Sequence, residues 1–131
     1  MAVMEACHAN KVKRVVITSS IASIMSSRIP PENWTFSEKN WSDPTNPEIT
    51  AYAKSKTLAE KAAWDFIEAL PENEKFEVVT INPGFILGPA FVGAGFSSGE
   101  VIDKLILGKY PGLPKVSFGC IDVRDCAIAH L

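Results

Sequence analysis

The 131-residue chain is poor in cysteine, lacks any long apolar run and carries little excess charge. Each shortage removes a class of protein. Cys7, Cys120 and Cys126 are too few for a disulfide framework, and none has the spacing of a zinc ligand, so no metal is expected. They read as reduced thiols of a cytoplasmic protein. No apolar run approaches the roughly 20 residues that span a bilayer, so no membrane partner is expected. Glu5, His8 and Asn10 interrupt the apolar positions of the first 15 residues, which removes a signal-peptide reading. Without that signal, the acceptor-like tripeptides at Asn33 and Asn40 are chance matches. The formal net charge of −2, with Lys and Arg scattered, gives no basis for a nucleic-acid partner. There is no internal repeat and no low-complexity tract.

What remains is a globular mixture, 47% apolar and 21% charged, of a length that suits one domain. Residues 2 to 9 read as the end of a helix, with Val3, Met4 and Cys7 on one face and Asn10 as its stop. Val15, Val16 and Ile17 form an unalternated apolar run, the pattern of a strand buried on both faces of a parallel sheet. It ends in Thr18, Ser19 and Ser20. Residues 21 to 48, with Pro30, Pro31, Pro44 and Pro47, read as a long loop tethered by Trp34, Phe36 and Trp41. Residues 51 to 70 are the clearest helix, with an apolar stripe of Leu58, Ala59, Ala62, Ala63, Phe66, Ile67 and Leu70 and a stop at Pro71. A second buried strand, Val78 to Ile81, stops at Asn82-Pro83-Gly84. A glycine-rich stretch carries Gly84, Gly88, Gly93 and Gly95. A helix through Val101, Ile102, Leu105 and Ile106 follows, then a strand over 116 to 121. Asp122 is placed to cap a last helix, with Asp125 three residues on as in a capping box.

Alternation of this kind predicts right-handed crossovers and a parallel sheet covered by helices. Both ends of the chain fall inside helices, and two or three strands leave edges and apolar faces uncovered. The chain therefore reads as a segment of a longer protein.

Tyr52 and Lys56 lie one helical turn apart and point from one face. A phenol titrates near pH ~10 and handles protons poorly at neutrality, but a nearby ammonium favours its charged form. A Tyr-Lys pair is thus a device for delivering or taking a proton. Ser20, at a strand end, has the chemistry to hydrogen-bond a carbonyl oxygen. Both elements open at the carboxyl ends of parallel strands, where open α/β sheets bind ligands. His8 and His130, near the two ends, read as surface or packing residues.

The segments RVVITSS, AYAKSKTLAEKAAWDF, VVTINPGFILGP and FGCIDVRDCAIAHL resemble the extended short-chain dehydrogenase/reductases, the NAD-dependent epimerase/dehydratase superfamily. Within it they are most similar to the dihydroflavonol reductase, cinnamoyl-CoA reductase and 3β-hydroxysteroid dehydrogenase group. The resemblance implies an α/β fold: part of a doubly wound parallel-sheet NAD(P)-binding Rossmann domain lacking its N-terminal half. Residues 1–88 would be the second half of the cofactor sheet, and 89–131 the start of the substrate lobe and the return to the sheet. It implies Ser20, Tyr52 and Lys56 as catalytic residues, with the choice of Ser20 over Ser19 or Ser23 resting on the resemblance. Tyr52 would protonate the substrate oxygen, and Lys56 would hold the nicotinamide ribose. Pro83, Gly84, Phe85 and Ile86 would meet the nicotinamide amide, and Ser98 the cofactor phosphates. Asp122, Arg124 and Asp125 fall on a late motif of structural character.

The expected activity is reduction of a ketone, aldehyde or acyl-thioester of a small organic substrate, with NADP ahead of NAD as cofactor. A homodimer of the full-length protein through the helix at 51 to 70 is also implied. One departure stands out: no G-x-x-G-x-x-G or G-x-G-x-x-G occurs, so the seat for the pyrophosphate is absent from this stretch. In the family that part precedes the region of Met1, which reads as an internal methionine. Two other readings stay open. One is a nucleotide-sugar epimerase or dehydratase, against which Ile21 and Ala22 stand where acidic residues would be expected. The other is a truncated, non-catalytic product unable to bind cofactor.

Overall fold

The computed structural model describes residues 1–26, 33–91, 97–113, 115 and 117–131. Pro30, Pro31, Gly93, Gly95, Phe96 and Val116 lie outside the described residues. The chain divides into two compact units, Met1–Asn82 and Pro83–Leu131.

The first unit begins with helix α1 (Ala2–Ala9). The Asn10 side-chain amide bonds to the Ala6 carbonyl at 2.8 Å, and Lys11 takes a positive φ of 54°, which turns the chain out of the helix. Strand β1 (Arg14–Thr18) follows and leads to the short helix α2 (Ala22–Met25). Helix α3 (Ala51–Ala69) is the longest element. Thr50 caps it by accepting the Ala53 amide at 3.1 Å, satisfying one of the orphan donors of the first turn. Pro71 prevents its continuation, and a 3-10 turn (Glu72–Glu74) leads into strand β2 (Glu77–Ile81). β1 and β2 pair in parallel from Arg14 opposite Glu77 to Thr18 opposite Ile81. The first of these pairs is also an ion pair, 2.7 Å from Arg14 Nε to Glu77.

The second unit holds two short parallel strands, β3 (Phe85–Leu87) and β4 (Cys120–Asp122), in register from Phe85–Cys120 to Leu87–Asp122. Between them runs helix α4 (Ser97–Ile106), and α5 (Val123–Ala129) follows β4. Gly88 has φ of 138°, a conformation that favours glycine, and a Cβ there would stand 2.8 Å from Val123 Cγ1. Asp122 caps α5 by accepting the Arg124 amide at 2.8 Å. That cap bond falls one residue before the position a capping box with Asp125 would use. Arg124 also clamps Asp122 through its guanidinium, which holds the Asp122 carboxyl down at about 2.

Three expectations need correction. β1 and β2 are half-buried, not buried on both faces, and among the described residues they pair with each other alone. The strand expected over 116 to 121 starts later, as β4 at Cys120–Asp122, where β3 offers it a ladder. Trp34 is half exposed, whereas Trp41 lies under the Lys61 ammonium, 5.2 Å from its ring centre. On α3 the fully buried face is Ala53, Thr57, Glu60 and Ala63, while Leu58 and Ala59 of the expected stripe are exposed. α3 packs against α2, where Glu60 meets Ser23.

Candidate active site

Ser20, Tyr52 and Lys56 all belong to the first unit, whereas Pro83, Gly84, Phe85, Ile86 and Ser98 belong to the second. Tyr52 sits in the first turn of α3 and is 58% exposed. Lys56, one turn on, sends its ammonium back to the carbonyl of Thr18 at 3.2 Å, at the carboxyl end of β1. This contact ties the start of α3 to the strand that delivers Ser20.

Ser20 is buried, and its Oγ accepts the Ala22 amide at 3.1 Å. That bond engages one of the two lone pairs and leaves the hydroxyl hydrogen able to act on a neighbour. Ser19 and Ser23 are turned elsewhere. Both direct their hydroxyls at Glu60 of α3, Ser23 at 2.8 Å. The Asn82 amide, just past β2, reaches the same carboxylate oxygen at 2.8 Å and the Ser20 carbonyl at 3.2 Å. Burial alone would raise the Glu60 pKa, but the converging donors of Ser19, Ser23, Asn82 and Thr80 outweigh it and hold the carboxyl below its ordinary range.

Glu60 and Ser42 were not singled out by sequence. Ser42, 2% exposed, donates to the Ala22 carbonyl at 2.8 Å, accepts the Ser26 amide at 2.7 Å, and sends its own amide to the Ser23 carbonyl at 2.8 Å. A signal for Glu60 did exist: it continues the small-residue spacing of Ala53 and Thr57. No comparable signal marks Ser42, one of several serines in a polar loop.

In the second unit Pro83 is buried and Gly84 lies flat against β4, where a Cβ would stand 2.1 Å from the Gly119 carbonyl oxygen. The Phe85 amide bonds that oxygen at 2.8 Å, and the Phe85 ring lies 4.6 Å from that of Phe118. Ile86 pairs with Ile121 in the strand ladder. Ser98 is half-buried in the first turn of α4. The histidines serve packing: His8 pairs with Glu74 at 3.1 Å and meets Phe66 edge-on, and His130 bonds the Cys126 carbonyl at 2.7 Å.

A model of the NAD dependent epimerase/dehydratase family matches residues 1–130. The chain belongs to that family. It is 36% identical to the NADPH-dependent methylglyoxal reductase of Saccharomyces cerevisiae over 94% of its own length and 40% of that protein's. It is 38% identical to a cinnamoyl-CoA reductase of Medicago truncatula over 91% of its length and 36% of that enzyme's. The chain thus spans about 40% of the length of such curated relatives. The crystal structure of vestitone reductase from alfalfa superposes with a TM-score of 0.75 at 32% identity, covering 98% of this chain and 41% of that one. The fold is therefore the corresponding part of a Rossmann-like reductase. Among the described residues, no helix is long and apolar enough to cross a membrane.

Proposed function

We propose that the protein containing this chain reduces the carbonyl group of a small organic molecule with NADPH. The observation that carries the reading is the tie between Lys56 and the end of β1, which brings the Tyr52 helix and the Ser20 turn together in a chain whose relatives are named reductases. Bound NADPH would supply the hydride. The residues present fit its nicotinamide end: the Lys56 ammonium has three hydrogens, and the bond to Thr18 uses one of them. Lys56 and Tyr52 would hold the ribose, the backbone from Pro83 to Ile86 the carboxamide, and Ser98 a phosphate.

The chain's own groups divide the remaining work. Ser20 donates to the substrate oxygen and fixes its direction. The exposed Tyr52 hydroxyl gives that oxygen its proton. Lys56 holds the tyrosine helix against the strand end and offers positive charge where negative charge develops. The names of the relatives favour this reading over an epimerase or dehydratase. The free thiols Cys7, Cys120 and Cys126 suit a cytoplasmic setting. The exposed Leu58 and Ala59 on α3 suit a homodimer through that helix.

The test is NADPH oxidation by the full-length protein against a panel including methylglyoxal and an aromatic acyl-thioester. Tyr52→Phe should lower kcat by about 10²–10⁴-fold, the usual share of a general acid. Turnover that survives this change unaltered would refute the assignment of Tyr52.

A further inference from the structure

Glu60 is a buried carboxylate to which the reaction assigns no part, 6% exposed at the point where α2, α3 and both strand ends converge. Its Oε2 receives Ser19, Ser23 at 2.8 Å and Asn82 at 2.8 Å. Each of these partners also reaches the Ser20 turn. The Ser23 hydroxyl lies 2.8 Å from the Ser20 carbonyl oxygen, and the Asn82 amide lies 3.2 Å from it. Ser19 precedes Ser20 directly, and its amide extends the strand ladder to the Ile81 carbonyl at 2.8 Å.

We propose that Glu60 is a positioning residue, whose carboxylate gathers Ser19, Ser23 and Asn82 and through them fixes the backbone turn that presents the Ser20 hydroxyl. The proposal rests on the role given to Ser20 above.

Hydrogen counting supports it. Ser19 and Ser23 bring one side-chain hydrogen each, and the Asn82 amide brings two. These donors have three acceptors within reach: the Glu60 carboxylate, the Ser20 carbonyl and the Ser23 hydroxyl oxygen. The Ser23 hydroxyl and the Asn82 amide each have more acceptors near them than hydrogens to give, since Asn82 Nδ2 also lies 3.0 Å from Ser23 Oγ. An ionised carboxylate accepts several donors at once, so one oxygen of Glu60 gathers Ser19, Ser23 and Asn82 at the place from which Ser23 and Asn82 also reach the Ser20 carbonyl. A group with fewer lone pairs or none forces Ser23 and Asn82 to rearrange, and the Ser20 carbonyl is the acceptor they share. When that carbonyl turns, the peptide plane and the Ser20 Oγ–Ala22 amide contact turn with it. Reactions of this kind are sensitive to such shifts, because a misplacement of about 1 Å costs about 100-fold in rate.

The test uses the full-length protein with Glu60→Gln, Glu60→Ala and Ser23→Ala. Gln keeps the shape and one acceptor. Ser23→Ala leaves the carboxylate intact and removes the hydroxyl shared with Ser20, so it remains informative if the Ala variant does not fold. The expected result is a kcat lowered about tenfold in Glu60→Gln and Ser23→Ala and about 100-fold in Glu60→Ala, with KM for NADPH and for the carbonyl substrate within about twofold of wild type. A purely structural loss would instead lower the active fraction in step with melting temperature, and Gln would rescue it. Wild-type kcat in folded Glu60→Gln and Ser23→Ala would overturn the proposal, as would a loss confined to KM. Tyr52→Phe is assayed alongside, and its failure to lower kcat would count against the proton-donor reading alone. Amide exchange decides the matter independently of turnover. The Ala22 and Ser23 amides, both bonded within the Ser20 turn, should exchange about tenfold faster in Glu60→Gln while the amides of β1 keep their wild-type rates. Unchanged exchange at both positions would overturn the proposal even for a protein that reduces no carbonyl.

Discussion

Replacing Gly84 with alanine tests how closely the Pro83-Gly84 turn lies against β4. A Cβ at 84 would stand 2.1 Å from the Gly119 carbonyl oxygen and 2.9 Å from its carbon, whereas real Cβ contacts do not fall under 3.0 Å. The atoms it would meet are backbone, so no side chain can swing aside. The turn must move by roughly 1 Å, a displacement that well-packed interiors charge at about 1–3 kcal/mol. The first bond lost is the one from the Phe85 amide to the same Gly119 oxygen, 2.8 Å long, for a further ~0.5–1.5 kcal/mol. The sum, about 2–4 kcal/mol, corresponds to a roughly 30-fold to several-hundred-fold faster exchange of the Phe85 amide, at about 1.4 kcal/mol per factor of ten. Gly112→Ala is the control, because a Cβ there meets nothing within 4 Å among the described residues, and its effect should stay within about 0.5 kcal/mol. Hydrogen exchange read by NMR or mass spectrometry measures both. If Phe85 exchanges alike in the two variants and in wild type, the close approach of the turn to β4 is refuted. With it would go the reason for a glycine at this point.

Other perturbations have equally definite outcomes. Ser42→Ala removes the acceptor of the Ser26 amide and the donor to the Ala22 carbonyl, so urea unfolding should show a loss of about 1–3 kcal/mol. Trp41→Leu keeps an apolar side chain but removes the ring beneath the Lys61 ammonium, and should cost about 0.5–1 kcal/mol in the same assay. Glu60 has a folded-state pKa below its ordinary 4.5, so its charge favours the fold above that value. That contribution is lost as pH falls through the lower folded-state value, and Glu60→Gln should flatten the stability profile there. Asp122 behaves alike: with its pKa lowered from 3.8 to about 2, its contribution disappears as acid takes the solution from the first value to the second. Acid titration of α5 by circular dichroism or NMR should lose that step in Asp122→Asn.

The sequence is explicit where a local rule acts without competition. Pro71 ends α3 because a missing amide marks a helix end wherever the helix is placed. The same holds for the stop at Asn10 and for Asp122 at the head of α5. β3 is only Phe85–Leu87, too short for any periodicity to register, and it exists because β4 offers it a ladder. The inward face of α3 was misread for a related reason. Hydropathy favours the stripe through Leu58, but Glu60 enters the contact with α2 because donors from α2 and both strand ends satisfy it.

By itself the sequence determined the strand segments β1 and β2, the long helix between them, and the spacing that sets Tyr52 and Lys56 on one side of that helix. These depend on neighbours within a few residues, and chain connectivity fixes them. Only the tertiary structure decided that Lys56 reaches the Thr18 carbonyl, that Ser19 and Ser23 turn to Glu60 while Ser20 turns to the Ala22 amide, and that Gly84 presses on Gly119. Those contacts join residues as much as 41 positions apart. Three adjacent or near-adjacent serines have the same local propensity, and what distinguishes them is which partner the rest of the fold brings within 3 Å or so of each hydroxyl.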